Sequence, residues 1–285
     1  MISARSERQA MDWSLVLASQ DIPTGIERVG DRQWVLVVPA GDHERALQSI
    51  RQYRLENRGW RWRKEVLGYD VSLHWGGVLW CVLLAVIYDL SYGELFFLQP
   101  AWILKSNLVL AGEWWRIFTA QLLHADLVHL LANVTSGCVL FGLALSRYGS
   151  GCGLLACLLA GASGNILGLI IHSKPYDGLG ASGMVMGALG LISVPEFGSA
   201  NTHPLLVRQW AKGAWAGAML FVLLGLNPSS DVAAHLGGFA GGVLLGILLN
   251  FLPHGSYRGR AFNRICWFLM TALLGLAAWL SFRTR

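Results

Sequence analysis

Apolar and polar positions divide the chain into two unequal parts. Residues 1–64 mix short apolar runs with Arg, Glu, Asp and Gln. Beyond them, seven apolar stretches follow at approximately 71–90, 126–146, 150–172, 181–196, 211–227, 233–252 and 263–282. A membrane-spanning helix needs ~20 apolar residues, and most of the seven meet that length. Pro175, Pro195, Pro204, Pro228 and Pro253 fall at segment boundaries, where proline belongs. The fourth stretch is short. Fourteen residues run from Ser182 to Pro195, roughly 20 Å of helix at ~1.5 Å per residue, against a hydrocarbon core of ~30 Å. That helix must therefore begin below the membrane surface. The preceding Asp177-Gly178-Leu179-Gly180-Ala181 becomes irregular backbone at membrane depth, which survives only inside protein or along a wet cavity.

Within residues 1–64, Trp13–Ala18 and Trp34–Pro39 read as strands, separated by a turn-rich stretch with Pro23, Gly25, Gly30 and Asp31. Asp42 is placed to cap a helix reaching about Asn57, with Ala46, Ile50 and Tyr53 on one face and Gly59 as its stop. Residues 91–125 are aromatic (Phe96, Phe97, Trp102, Trp114, Trp115) but poorly periodic, and read as a loop lying in the membrane interface. The predicted fold is an all-α polytopic membrane protein with a small N-terminal α+β soluble domain. The domains are 1–64 and 65–285.

Composition agrees: 54% of residues are hydrophobic and 14% charged, where soluble domains carry about 25% charged residues. Lys and Arg set the expected orientation. With the N-terminus cytoplasmic, inside segments hold twelve basic residues: Arg51, Arg54, Arg58, Arg61, Arg63, Lys64, Arg147, Arg208, Lys212, Arg258, Arg260 and Arg264. Outside segments hold five: Lys105, Arg116, Lys174, Arg283 and Arg285. Because basic residues gather at membrane flanks, the net charge of +5 is no nucleic-acid signal. Cys81, Cys138, Cys152, Cys157 and Cys266 fit neither a zinc spacing nor a disulfide framework and read as small packing residues.

Ionisable groups within membrane segments point to function. Ser182, in Gly180-Ala181-Ser182-Gly183, and His235, in Ala234-His235-Leu236-Gly237-Gly238, lie at the same end of two segments that run in the same direction. Serine with histidine is the minimum set for nucleophilic acyl transfer. Gly183, Gly187 and Gly190 share one helical face, and Gly238 and Gly242 share the face of His235. Small residues so spaced let membrane helices approach closely. The competing reading makes Ser182 a hydroxyl bonded to its own helix and His235 a packing residue. His129 and Asn133, at i and i+4, and the Ser182 amide are candidate oxyanion donors. Asp126 and Asp231 are read as helix caps, which leaves a Ser–His dyad with no orienting acid. A metal held by His124, His129 and His235 is the weaker alternative, because no His-Glu-x-x-His and no paired carboxylate is present. No cofactor is expected.

These motifs, with Trp115-Arg116 and with His124 ahead of His129 and Asn133, resemble the rhomboid intramembrane serine proteases over roughly residues 70–255. The resemblance implies a six-helix core with one extra C-terminal transmembrane helix. It implies Ser182 as nucleophile, His235 as general base, and His129, Asn133 and the Ser182 amide around the oxyanion. It also implies Trp115 and Arg116 as support for their loop, where charge bookkeeping alone makes Arg116 a lipid-headgroup contact. His124, Gly180, Gly183, Gly238 and Gly242 belong to the supporting set. One departure is Met186, where family members often place an aromatic ring against the histidine. The implied activity is endopeptidic cleavage of single-span membrane proteins near the outer face of a bacterial inner membrane. The alternative is a non-catalytic rhomboid-like protein that binds membrane clients. Residues 1–64 read as a regulatory or tethering module or as a folded tail, with no residue signal choosing among them, and the sequence is silent on oligomeric state.

Overall fold

The computed structural model describes residues 1–4, 6–29, 33–56, 73–92, 98–173, 175–195, 203–226, 230–252 and 256–283. Outside them lie several positions named above: Gly30, Asp31, Asn57, Arg58, Gly59, Arg61, Arg63, Lys64, the start of the first apolar stretch, Phe96, Phe97, Lys174, Pro228, Pro253 and Arg285. The chain forms two compact units, Met1–Asp70 and Val71–Arg285.

In the first unit, β1 (Ile2–Ala4), α1 (Glu7–Ala18), β2 (Gly25–Val29), β3 (Gln33–Val37) and α2 (His43–Glu56) follow in order. The sheet order is β1-β3-β2 and both pairings are antiparallel. Two expectations are corrected here. Trp13–Ala18 is helical, because Ser6 caps the preceding turn through Gln9 N–H and Ala10, Trp13 and Leu17 recur with helical spacing on the buried face. The stretch read as turn-rich contains β2, whose residues are exposed along its length and so lack the alternation that marks a half-buried strand. In α2, Ala46 and Ile50 are buried with Tyr53 packed beside them. Asp42 ends the short 3₁₀ turn before α2, and its carboxylate accepts from Arg45 (2.8 Å).

The second unit comprises α3 (Gly76–Tyr92), α4 (Gln99–Trp102), β4 (Leu104–Lys105), α5 (Ser106–Leu110), α6 (Arg116–Thr119), α7 (Leu127–Tyr148), α8 (Ser150–Ile171), β5 (Asp177–Gly178), α9 (Ser182–Ser193), α10 (His203–Gly225), α11 (Val232–Asn250) and α12 (Arg260–Arg283). Among the described residues α7, α8, α11 and α12 are long and apolar enough to cross a membrane, and the apolar parts of α3, α9 and α10 are shorter. Val78, Leu79, Val82 and Val86 of α3 and Ile265, Phe268 and Leu269 of α12 are exposed. Large apolar side chains in such rows face lipid, not water. This is an integral membrane protein. Residues 91–125, expected to be irregular, carry α4–α6 and the strand β4, which pairs antiparallel with β5.

The centre of the unit is α9, buried without interruption from Gly183 to Leu191. A helix apolar all round belongs in an interior. Its neighbours are admitted by glycine. A Cβ on Gly238 would lie 2.3 Å from the Gly183 carbonyl, one on Gly242 would lie 2.1 Å from the Gly187 carbonyl, and one on Gly190 would lie 2.2 Å from the Phe239 carbonyl. The contact moves down both helices in step (183 with 238, 187 with 242), so α9 and α11 run parallel with backbones touching. Between α11 and α8 the order reverses: Gly164 meets Ala234 while Gly241 meets Ser163 and Ala160, an antiparallel packing of the same closeness, and a Cβ on Gly187 of α9 would lie 2.5 Å from that of Ala160 in α8. The far end of α9 is satisfied from α7, with Tyr148 Oη donating to the Leu191 carbonyl (3.0 Å) and Arg147 to that of Ile192 (3.2 Å).

Gly242→Val forces side-chain atoms into the Gly187 carbonyl. Overpacking of this kind costs about 1–3 kcal/mol. Thermal unfolding in detergent should show a clear loss for Gly242→Val and none for Gly275→Ala in α12, where an added Cβ meets nothing within 4 Å.

Candidate active site

Where α7, α9 and α11 begin, the unit has a partly open cavity of about 740 Å³. Ser182, His235, His129 and Asn133 all line it, together with Gly180, Gly183 and Met186. Asp126 caps α7 by accepting from His129 N–H (2.8 Å), and Asp231 caps α11 by accepting from Ala234 N–H (2.9 Å). The two caps fix the first turns that carry His129 and His235.

Ser182 is the first residue of α9, after Ala181, which contributes no side-chain cap. First-turn N–H groups have no partner within their own helix, so the Ser182 amide is available to a ligand. The chain reaches this point through Gly180, whose φ of +126° is a glycine conformation. A Cβ there would also lie 2.6 Å from the His129 ring. Gly180 thus serves twice, turning the backbone into α9 and leaving room for an imidazole. Its N–H donates to the Ala120 carbonyl (3.0 Å).

His235 is buried, and its Nδ1 lies 2.8 Å from the carbonyl oxygen of Gly225, the last residue of α10. A carbonyl only accepts, so Nδ1 is the donor, and in the neutral ring the lone pair then sits on Nε2. The orienting group is therefore a main-chain carbonyl. A backbone acceptor supplied by helix-end geometry leaves no residue-type signal in the sequence. Asp231 spends its carboxylate on Ala234 N–H, the Tyr176 hydroxyl and His172 Nε2. Among the described residues no hydrogen bond joins Ser182 directly to His235. Catalytic contacts are often long before substrate binds.

Asn133 donates from Nδ2 to the His129 carbonyl (3.0 Å), so its amide is held against its own helix at the cavity wall. The His129 ring meets His124 edge-on at 5.3 Å between centroids. His124 does not line the cavity. It is buried in the connection before α7. Trp115 and Arg116 lie away from the cavity as well. Arg116 is buried, with Nε on Glu113 (2.6 Å) and Nη1 on the carbonyls of Pro100 (3.0 Å) and Ile103 (2.8 Å). It ties α6 to α4. Gly238 and Gly242 stand in the α9–α11 contact. Cavity residues missed in the sequence are Asn165, which donates to the Ile117 carbonyl (2.7 Å), and Tyr176.

Burial, and then the neighbouring His129, push the pKa of His124 down from 6.5 to about 4. A folded-state pKa below the unfolded one favours the neutral ring. The contribution to stability is therefore complete above pH 6.5 and is lost as pH falls from there toward 4. Unfolding followed across this window should show stability falling with pH, with a shallower slope in His124→Phe.

The chain is similar to known membrane proteins. The family model for the Rhomboid domain matches residues 111–250. The chain is 29% identical over 169 residues to the rhomboid protease GluP of Bacillus subtilis, covering 56% of this chain and 31% of GluP. It is 34% identical over 145 residues to the rhomboid YdcA of the same species, covering 48% of this chain and 68% of YdcA. It is 28% identical over 194 residues to the rhomboid protease AarA of Providencia stuartii, covering 56% of this chain and 68% of AarA. The matched region is thus about a third of GluP and about two thirds of the other two. On these matches and this fold, the chain belongs to the rhomboid family.

Proposed function

We propose that this protein is an intramembrane serine endopeptidase working through a Ser182–His235 dyad. The observation that carries the reading is the sharing of one cavity by Ser182, at the start of a helix too short to span the membrane, and His235, whose Nδ1 is committed to the Gly225 carbonyl. With Nδ1 occupied, Nε2 is the nitrogen free to act as base. Ser182 Oγ attacks the substrate carbonyl as its proton passes to Nε2. The carbonyl π pair moves to oxygen, where the Ser182 amide, His129 and Asn133 supply donors. Collapse breaks the C–N bond, and Nε2 returns the proton to the leaving amine. Water, deprotonated at the same nitrogen, then hydrolyses the acyl-enzyme. Tautomer control at His235 is the role a buried carboxylate plays in other serine hydrolases.

The substrates are single-span membrane proteins, cut near the outer face. The cavity lies at the end of the unit assigned to that face by the distribution of Lys and Arg. The substrate segment must unwind locally, because an intact helix buries its carbonyls in its own hydrogen bonds. The membrane-domain core is then the six helices α3 and α7–α11, with α12 added. Residues 1–64 are a cytoplasmic α+β domain that governs access of substrates. The protein resides in a bacterial inner membrane. Met186 places a thioether at the cavity wall where an aromatic ring is frequent. A flexible thioether orients a neighbouring imidazole less firmly than a stacked ring.

A serine-directed fluorophosphonate should label detergent-solubilised protein, and Ser182→Ala and His235→Ala should each abolish labelling. No labelling of folded wild type, under conditions where an active relative reacts, would instead favour the rhomboid-like client-binding protein. A chain shortened to begin near Arg63 should retain hydrolysis of a small soluble ester. Loss of that activity in a folded product would exclude a role confined to substrate access.

A further inference from the structure

The connection 172–181 delivers Ser182, and α11 begins with the turn that delivers His235. Both meet at Tyr176. Its hydroxyl donates to Asp231 Oδ2, the carboxylate that caps α11. Its ring occupies a slot cut by two glycines: a Cβ on Gly168 of α8 would lie 2.6 Å from the phenol oxygen, and one on Gly178 of β5 would lie 2.8 Å from it. The His172 ring stacks on Tyr176 at 4.7 Å and 18° and places Nε2 3.0 Å from Asp231 Oδ1. The Tyr176 main chain is clamped from the other side, with Tyr176 N–H donating to Ser106 Oγ (2.9 Å) and Ser106 N–H donating to the Tyr176 carbonyl (2.9 Å). One turn along α11, His235 N–H donates to the Asp231 carbonyl (3.0 Å). Asp231 thus bonds the connection with its side chain and the turn of His235 with its backbone.

The charges suit this arrangement. Burial, then the bond to Asp231, push the Tyr176 phenol well up, so it stays a neutral donor. Burial alone would raise Asp231. The bonds from Tyr176, Ala234 N–H and His172 outweigh it and hold the carboxyl below the ordinary range. The acceptor is therefore ionised at neutral pH, and hydrogen bonds to ionised groups are the stronger kind.

We propose that Tyr176 is a positioning residue: seated between Gly168 and Gly178 and bonded to Asp231, it holds the connection that carries Ser182 in register with the first turn that carries His235. This rests on reading Ser182 and His235 as the reacting pair. Tyr176 and Asp231 both line the cavity, and in this scheme neither touches the reacting atoms. Their effect is on the distance between nucleophile and base, which governs the rate of attack and leaves ground-state affinity alone.

The test is Tyr176→Phe, which keeps the ring in its slot and removes one oxygen, beside Asp231→Asn, which retains a side-chain oxygen for the cap. Thermal unfolding identifies folded variants. Fluorophosphonate labelling of Ser182 should slow about tenfold in Tyr176→Phe, the usual scale for a lost hydrogen bond to a charged group. Affinity for a reversible peptide aldehyde's non-reacting alcohol analogue should stay within about twofold. The double variant should be no slower than the slower single, because both remove one interaction. Hydrogen exchange in Tyr176→Phe should quicken in 177–183 and in 232–236 together. Labelling at the wild-type rate, multiplicative effects in the double variant, or faster exchange in only one of the two segments would overturn the proposal. If wild type itself fails to label, the serine-protease reading falls, and the exchange experiment alone decides whether Tyr176 couples the two segments. Should Tyr176→Phe fail to fold, Asp231→Asn carries the same exchange and labelling measurements with the same outcomes.

Discussion

The close backbone contact of α9 with α8 and α11 is the constraint on which the rest of this unit depends. Lipid offers no hydrophobic drive for helices to associate, so contact area and dispersion must supply it. At Gly183–Gly238 and Gly187–Gly242 there is no room for a single carbon between backbones. That closeness buries α9 from Gly183 to Leu191 and sets Ser182 and His235, one residue before Gly183 and three residues before Gly238, on the wall of one cavity. A wider separation would leave the serine loop at membrane depth without protein around it, which irregular backbone does not tolerate.

Around this contact the two histidines on the cavity wall are each positioned by a main-chain group or a cap. His235 is aimed by the Gly225 carbonyl at the end of α10. His129 follows from the Asp126 cap and the missing Cβ of Gly180. The buried guanidinium of Arg116 gathers the carbonyls of Pro100 and Ile103, which ties α6 to α4. A buried cation is costly unless hydrogen-bonded throughout, and its carboxylate partner Glu113 lies only three residues away.

Much of this was legible in the sequence because it rests on local or periodic signals. The seven apolar stretches correspond to α3 and α7–α12, the shortness of the fourth announced α9, and the glycine faces gave the parallel contact. Asp126 and Asp231 as caps followed from residue type and position. What escaped was either a competition between periods or a long-range bond. Trp13–Ala18 is rich in strand-forming residues, yet the Ser6 cap and the i, i+3, i+7 burial of Ala10, Trp13 and Leu17 make it a helix. β2 carries no alternation because it is exposed on both faces. The pairing of β4 with β5, two residues each, has no sequence signature at that length. The Gly225 carbonyl belongs to the backbone, which any residue has. The bond between Tyr176 and Asp231 joins positions far apart in the chain, and neither residue alone marks the other.

The brevity of α9 has a consequence for biogenesis. At 12 residues, roughly 18 Å of helix, it cannot rest alone in a bilayer as a stable span. Its walls are made at different times: α8 leaves the ribosome before it, while α11 emerges only after α10 has been completed. Between those moments the nascent serine segment has one wall and lacks the other. Its entry into the membrane interior is therefore completed by chain synthesized later, and assembly of the cavity is a late event in the maturation of the protein.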